Sequence, residues 1–282
     1  ATYTRIVVPA SHMPALHVDF FALKNAYDAD GFVVIPGFLS PDEVRELSER
    51  TDAAMSDFRY HPKFVGVRKD VDKADPWFAQ YFRHGAHVPL IAGLMNDRPT
   101  PSSAAFFDKP AGSSVEISQH VDGFGKLDGT TLWIALDTAD RGNGCLCYLK
   151  GSHRQSWSKD ALAAVSEDSE GAVAVEAEPG DAIIHSARTV HWSRKSTCTA
   201  RRRRAVSFFY WASSCLENMK SWPGQALSEE TLAADFGQLN LEAGVAALRT
   251  LDRDWAAWPQ VVQKFRDAPA KFLVGLKLKD PE

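Results

Sequence analysis

His120, Asp122 and His191, with Arg202 following the last of them, are the residues whose types and spacing could do chemistry. Two imidazoles and one carboxylate can occupy one face of an octahedral ferrous ion. Three adjacent positions then stay open for a bidentate co-substrate and dioxygen. An arginine downstream of the distal histidine could grip the far carboxylate of a dicarboxylate bound to the same metal, because guanidinium pairs bidentately with carboxylate. The set therefore points to Fe(II), 2-oxoglutarate and O2. His185 is a competing distal ligand. His191 is preferred because Ser193 and Arg202 follow it at distances that would bring both beside the metal. His185 is then a supporting or structural residue.

The elements around these residues have to bring them together. In His120-Val121-Asp122 both candidate ligands lie on one side of an extended segment, since side chains alternate along a strand. Thr130 to Asp137 is rich in β-branched and aromatic residues and reads as a buried strand. Gly180-Asp181 looks like a turn feeding a strand that reaches His185, and Arg202 to Trp211 is a further strand. Ligands on neighbouring strand ends of a barrel-like sandwich can converge at its mouth. The expected fold is mainly β with flanking helices, around a double-stranded β-helix (jelly-roll, cupin-like) core over about 104–211, in a single domain spanning 1–282. Helices are predicted over about 18–28 and from Ser40, where Ser40-Pro41-Asp42-Glu43 makes a capping box, to about Phe58. Gly31 to Ile35 reads as a strand, 61–76 as a mobile lid or substrate loop, and about 77–96 as a helix. From Ser228 the chain reads as a helical extension, with Trp255 and Trp258 expected to pack on the barrel or on a neighbouring subunit.

An ordered set of blocks resembles the phytanoyl-CoA dioxygenase family, which includes ectoine hydroxylase. The blocks are Asp30-Gly31-Phe32 to Leu39, Phe107-Asp108-Lys109-Pro110, His120-Val121-Asp122 and Trp133 to Asp137. Asn143-Gly144-Cys145-Leu146, Gly151-Ser152-His153, Gly180-Asp181 and His191-Trp192-Ser193 with Arg202 complete them. The resemblance implies that His120, Asp122 and His191 ligate iron. It places Ser193 and Arg202 on the distal carboxylate of 2-oxoglutarate, Trp133 against that co-substrate, and Lys109 near the same pocket or on the surface. Val121 stands where the family often has Gln, but on a strand that side chain points away from the metal. Asp122 stands where related halogenases have Gly or Ala, which argues for hydroxylation, with succinate and CO2 released.

Composition bounds the rest. A chain of 282 residues, 45% of them hydrophobic, can bury a sizeable core, and a net charge of −4 gives no general attraction to nucleic acid or acidic membranes. No run of about twenty apolar residues suggests a membrane span, and no signal peptide is visible, so a cytoplasmic enzyme is expected. Cys145, Cys147, Cys198 and Cys215 form no Cys-x-x-Cys motif. The partner is a small-molecule substrate, and a homo-oligomer is left open. If Arg202 faces the barrel, Arg204 shares its face and, with Arg188, could bind a second anionic group, or Arg204 could pair with an acidic residue. Trp192 could line a pocket for a cationic amine. The expected substrate is small, polar and anionic or zwitterionic, of the amino acid or aminoalkylphosphonate type. A nucleotide, acyl-CoA or natural product stays an alternative, as does a β-helix that binds metal or ligand without oxidation.

Overall fold

The computed structural model describes residues 20–56, 66–123 and 127–220. Helix α1 (Phe20–Asp30) leads through Gly31 into β1 (Phe32–Ile35), and α2 (Pro41–Ser56) follows. The capping box forms as predicted: the Ser40 N–H donates to Glu43 Oε2 at 2.7 Å, and the Glu43 N–H donates to Ser40 Oγ at 3.3 Å. Next come β2 (Val67–Lys69), the short α3 (Val71–Ala74), α4 (Pro76–His84), α5 (Val88–Met95) and β3 (Pro99–Lys109). Then follow β4 (Ile117–His120), β5 (Gly129–Ala135), β6 (Leu146–Leu149), α6 (Lys159–Ala163) and β7 (Ala172–Val175). The chain continues through β8 (Ala182–Ser186), β9 (His191–Ser193), β10 (Arg203–Ala212) and α7 (Ser213–Lys220).

The strands form two antiparallel sheets. One has the order β1-β8-β5-β10-β3-β2 and the other β4-β9-β6-β7. Between them lies an apolar layer that includes Phe32, Val34, Trp133, Ala135, Tyr148, Val173, Ile183 and Ala205. The opposite face of the six-stranded sheet offers Val33, Leu132, Ile134, Val206, Phe208 and Tyr210 to the N-terminal helices. Thus β5 and β10 are buried on both faces. Fully burying one such side chain stabilises by about 1.5–3 kcal/mol, so the helices and the jelly roll hold each other. A third cluster, with Trp192, Val190, Leu149 and Cys147, covers the outside of the four-stranded sheet.

Three expectations change. The helix predicted over about 77–96 is two helices, because Gly85 closes α4 by donating its N–H to Tyr81 O at 2.9 Å and α5 restarts with proline in its first turn. The described part of the predicted lid is ordered: it holds β2, an edge strand whose Val67 and Arg68 are buried and which pairs with Ala105 to Phe107, and then α3. The core expected from about residue 104 starts earlier on this strand, since β3 begins at Pro99. Residues 61–65 and the C-terminal extension lie outside the described residues. Among those described, no helix is long and apolar enough to cross a membrane.

Candidate metal centre

β4 and β9 run side by side with His120 opposite His191. Asp122 follows β4 in a bend. The bend requires Gly123: a Cβ there would lie 2.8 Å from Leu127 O, and its N–H donates to Ala187 O at 2.7 Å. One ligand atom from each of His120, Asp122 and His191 falls within 4.8 Å of the other two. Asp122 Oδ1 is 3.7 Å from His120 Nε2 and 3.8 Å from His191 Nε2.

Each imidazole is oriented by its other nitrogen. His120 Nδ1 is 2.8 Å from Ser118 O, and His191 Nδ1 is 3.0 Å from Thr189 O. A carbonyl only accepts, so each Nδ1 carries hydrogen and each Nε2 keeps its lone pair. Burial, and then the neighbouring His120, hold the His191 pKa well below the usual histidine range. Burial pushes Asp122 up, but the imidazoles of His191, His185 and His120 outweigh it and hold the carboxyl well below the usual carboxylate range. A neutral imidazole and an ionised carboxylate are the states metal ligation needs. The His191 side chain is 7% exposed and that of His120 is 39%, so the centre opens to solvent on the His120 side.

The inner strand faces continue from these ligands. On β5, Thr131 donates its hydroxyl to Asp122 Oδ2 at 2.7 Å, and Trp133, two residues on, lies in the layer between the sheets. The Arg203 guanidinium sits 5.7 Å from the centre of the Trp133 ring and donates to Gly144 O at 3.1 Å. Gly144 has φ +83°, and a Cβ there would lie 2.4 Å from Arg194 O, so the Asn143-Gly144 turn lets the backbone come this close. Arg203 is 1% exposed, and burial pulls its pKa down to about 10. Its Nε and Nη1, and the hydroxyl of buried Ser193, have no partner among the described residues. Lys109, opposite Arg203 across β10 and β3, is also buried. Its ammonium donates to Arg194 O, and burial, reinforced by Arg203, pulls its pKa down to about 7.

Three expectations are corrected. Arg202 does not face the interior. It precedes β10, its side chain is 49% exposed, and it pairs with Asp108 at 2.5 Å. Arg204 lies on the outer face, with Nε 2.9 Å and Nη2 2.8 Å from the two Asp137 oxygens and Nη1 2.9 Å from Asp52 Oδ2. The physical reason is strand alternation: Arg203, Ala205 and Ser207 take the inner face, and even-numbered residues the outer one. Trp192 alternates away from His191 and Ser193 and packs in the outer cluster beside Val190, against which Val121 also rests. Arg188 is half-buried in the turn between β8 and β9, next to Ala187. His185 is a neighbour of the centre: its Nε2 is 3.2 Å from Asp122 Oδ2. Arg203, Thr131 and Tyr148 were not singled out from sequence. The small inner residues Ala205 and Ser207, alternating with Val206, Phe208 and Tyr210, were the signal for Arg203.

The phytanoyl-CoA dioxygenase (PhyH) family pattern matches residues 27–205, more than half of the chain. The chain belongs to the phytanoyl-CoA dioxygenase family. Phytanoyl-CoA dioxygenase 1 of Oryza sativa subsp. japonica is 22% identical over 255 residues, covering 70% of this chain and 90% of that protein. The phytanoyl-CoA dioxygenase domain-containing protein 1 homolog of Caenorhabditis elegans is 26% identical over 202 residues, covering 53% and 70%. Among solved structures, EctD from S. alaskensis in its apoform superposes with a TM-score of 0.61 at 19% identity, over 75% of this chain and 83% of that one. The epimerase SnoN in complex with Fe3+, alpha ketoglutarate and nogalamycin RO superposes with a TM-score of 0.57 at 20% identity, over 74% and 92%. These superpositions establish the shared jelly-roll fold. This phytanoyl-CoA dioxygenase family member is an Fe(II)- and 2-oxoglutarate-dependent dioxygenase, and His120, Asp122 and His191 fit the iron.

Proposed function

We propose that the chain hydroxylates an unactivated C–H bond of a small molecule, with iron held by His120, Asp122 and His191 and 2-oxoglutarate held by Arg203 and Ser193. The observation that carries the reading is the set of orphaned donors. Ser193 Oγ and Arg203 Nε and Nη1 are buried without a partner among the described residues, and a buried donor left unpaired costs about 1–3 kcal/mol. A carboxylate is acceptor-only and would satisfy all three. Ser193 is two residues along β9 from His191, about 6.6 Å, which suits a five-carbon diacid with one end at the metal.

Iron bound at the triad supplies the oxidising chemistry with dioxygen, while 2-oxoglutarate is converted to succinate and carbon dioxide. Arg203 and Ser193 anchor the far carboxylate, and Trp133 walls the co-substrate. Buried Lys109 adds positive charge beside Arg203. The two packed sheets exclude water from the inner end, so substrate approaches from the exposed His120 side.

Neither Arg202 nor Arg204 is available to an anionic substrate. The reading of a small, polar, negatively charged or zwitterionic substrate then rests on Arg188. Among the described residues it has no acidic partner within ion-pair distance, and it lies three residues before His191. The test has two steps. Anaerobic addition of ferrous iron and 2-oxoglutarate should produce a weak visible charge-transfer band; a protein that only binds metal or ligand should show none. Amino acids, aminoalkylphosphonates, nucleotides and acyl-CoAs are then scored by substrate-dependent succinate release under air. Turnover of an acyl-CoA alone refutes the small polar substrate.

A further inference from the structure

We propose that Thr131 and His185, with His185 set by Tyr148, are positioning residues that restrict Asp122 to one metal-binding oxygen. The proposal rests on the metal-centre reading above and deepens it. Asp122 has two chemically equivalent oxygens, yet the structure treats them differently. Oδ1 faces His120 Nε2 at 3.7 Å and His191 Nε2 at 3.8 Å. Oδ2 is turned away from that centre and held from two sides, by Thr131 Oγ1 at 2.7 Å and His185 Nε2 at 3.2 Å.

The hydrogen positions follow from the acceptors. An ionised carboxylate only accepts, so His185 Nε2 carries the hydrogen and Nδ1 is a lone pair. Tyr148 Oη lies 2.9 Å from that Nδ1 and donates to it. The relay therefore runs from the Tyr148 hydroxyl through the His185 ring to Asp122 Oδ2. Tyr148 is fully buried and His185 is 2% exposed, so the relay is fixed by packing: Tyr148 stacks on Phe32 with ring centres 4.4 Å apart. Both nitrogens of His185 are committed, which removes it as a metal ligand.

The consequence bears on coordination. A carboxylate oxygen offers about two lone-pair directions, and Thr131 and His185 take both on Oδ2. Only Oδ1 is left for the metal. A carboxylate binding through both oxygens would occupy a position that 2-oxoglutarate or dioxygen needs, since the facial arrangement leaves only three. Holding Oδ2 back keeps those three open.

The test uses the full chain loaded with Co(II) in place of iron, read by Co(II) affinity, by the visible d–d absorption and by 2-oxoglutarate affinity of the Co(II) protein. Thr131→Val with His185→Leu should weaken Co(II) binding about tenfold or more, change the d–d bands and weaken 2-oxoglutarate binding as Asp122 closes on the metal with both oxygens. His185→Gln keeps an N–H donor and should restore most of the loss. Tyr148→Phe should move the same readouts in the same direction. If the double variant fails to fold, the near-isosteric Thr131→Val alone carries the test. Wild-type Co(II) and 2-oxoglutarate affinities in the folded variants, or a loss that His185→Gln does not recover, would overturn the proposal. Failure of the metal-centre reading looks different: the wild-type chain itself would not bind Co(II), or Asp122→Ala would bind it unchanged.

Discussion

The Arg203 guanidinium lies 5.7 Å from the centre of the Trp133 ring, inside the sandwich, with two of its nitrogens unpaired among the described residues. That one contact orients the run of four arginines. It assigns the inner face of β10 to Arg203 and leaves Arg202 at the surface with Asp108.

Arg203→Ala should therefore raise the 2-oxoglutarate requirement by roughly tenfold to a hundredfold, because a charge-assisted hydrogen bond contributes about 1.5–3 kcal/mol. Arg202→Ala should leave it nearly unchanged. Succinate release titrated against 2-oxoglutarate measures both, and the reverse ranking would contradict the anchor.

Replacing His120, Asp122 or His191 with Ala should abolish stoichiometric iron binding and succinate formation while the thermal midpoint stays close to wild type. His185→Ala should weaken binding without abolishing it. Full activity in His191→Ala would move the distal ligand elsewhere.

Arg204 joins the six-stranded sheet to α2 through Asp137 and Asp52. Arg204→Ala should cost about 1–3 kcal/mol of stability, seen as a lower urea midpoint, with 2-oxoglutarate affinity retained. Trp192→Ala should likewise act on stability, by about 3–5 kcal/mol. Either variant altering substrate preference at wild-type stability would contradict the outward placement.

His87 is buried in the helix-covered core, 2.7 Å from the Tyr210 hydroxyl, and burial lowers its pKa from 6.5 to about 3. The unfolded chain binds a proton on this residue below pH 6.5 and the folded chain does not until about pH 3. Stability should thus fall as pH drops through that window, with a slope of up to about 1.4 kcal/mol per unit from this group. His87→Gln should flatten the slope in urea melts between the two values, and an unchanged slope would assign the acid sensitivity to other groups.

The sequence by itself determined the reaction class, because the ligand types, their order and the blocks between them are properties of the chain. It also determined the two-sheet fold and the capped start of α2, where alternation and local hydrogen bonding are written in neighbouring residues. Strand alternation told that Arg202 and Arg204 share a face and that Arg203 takes the other. Which face meets the interior is a matter of how β10 registers with β3 and β5, and only the tertiary structure decided it. The same holds for His185. Its place behind Asp122 depends on β8 pairing with β5, which sets His185 opposite Thr131. No spacing along the chain carries that contact, because it joins residues 63 positions apart through a sheet whose order differs from the order of the sequence.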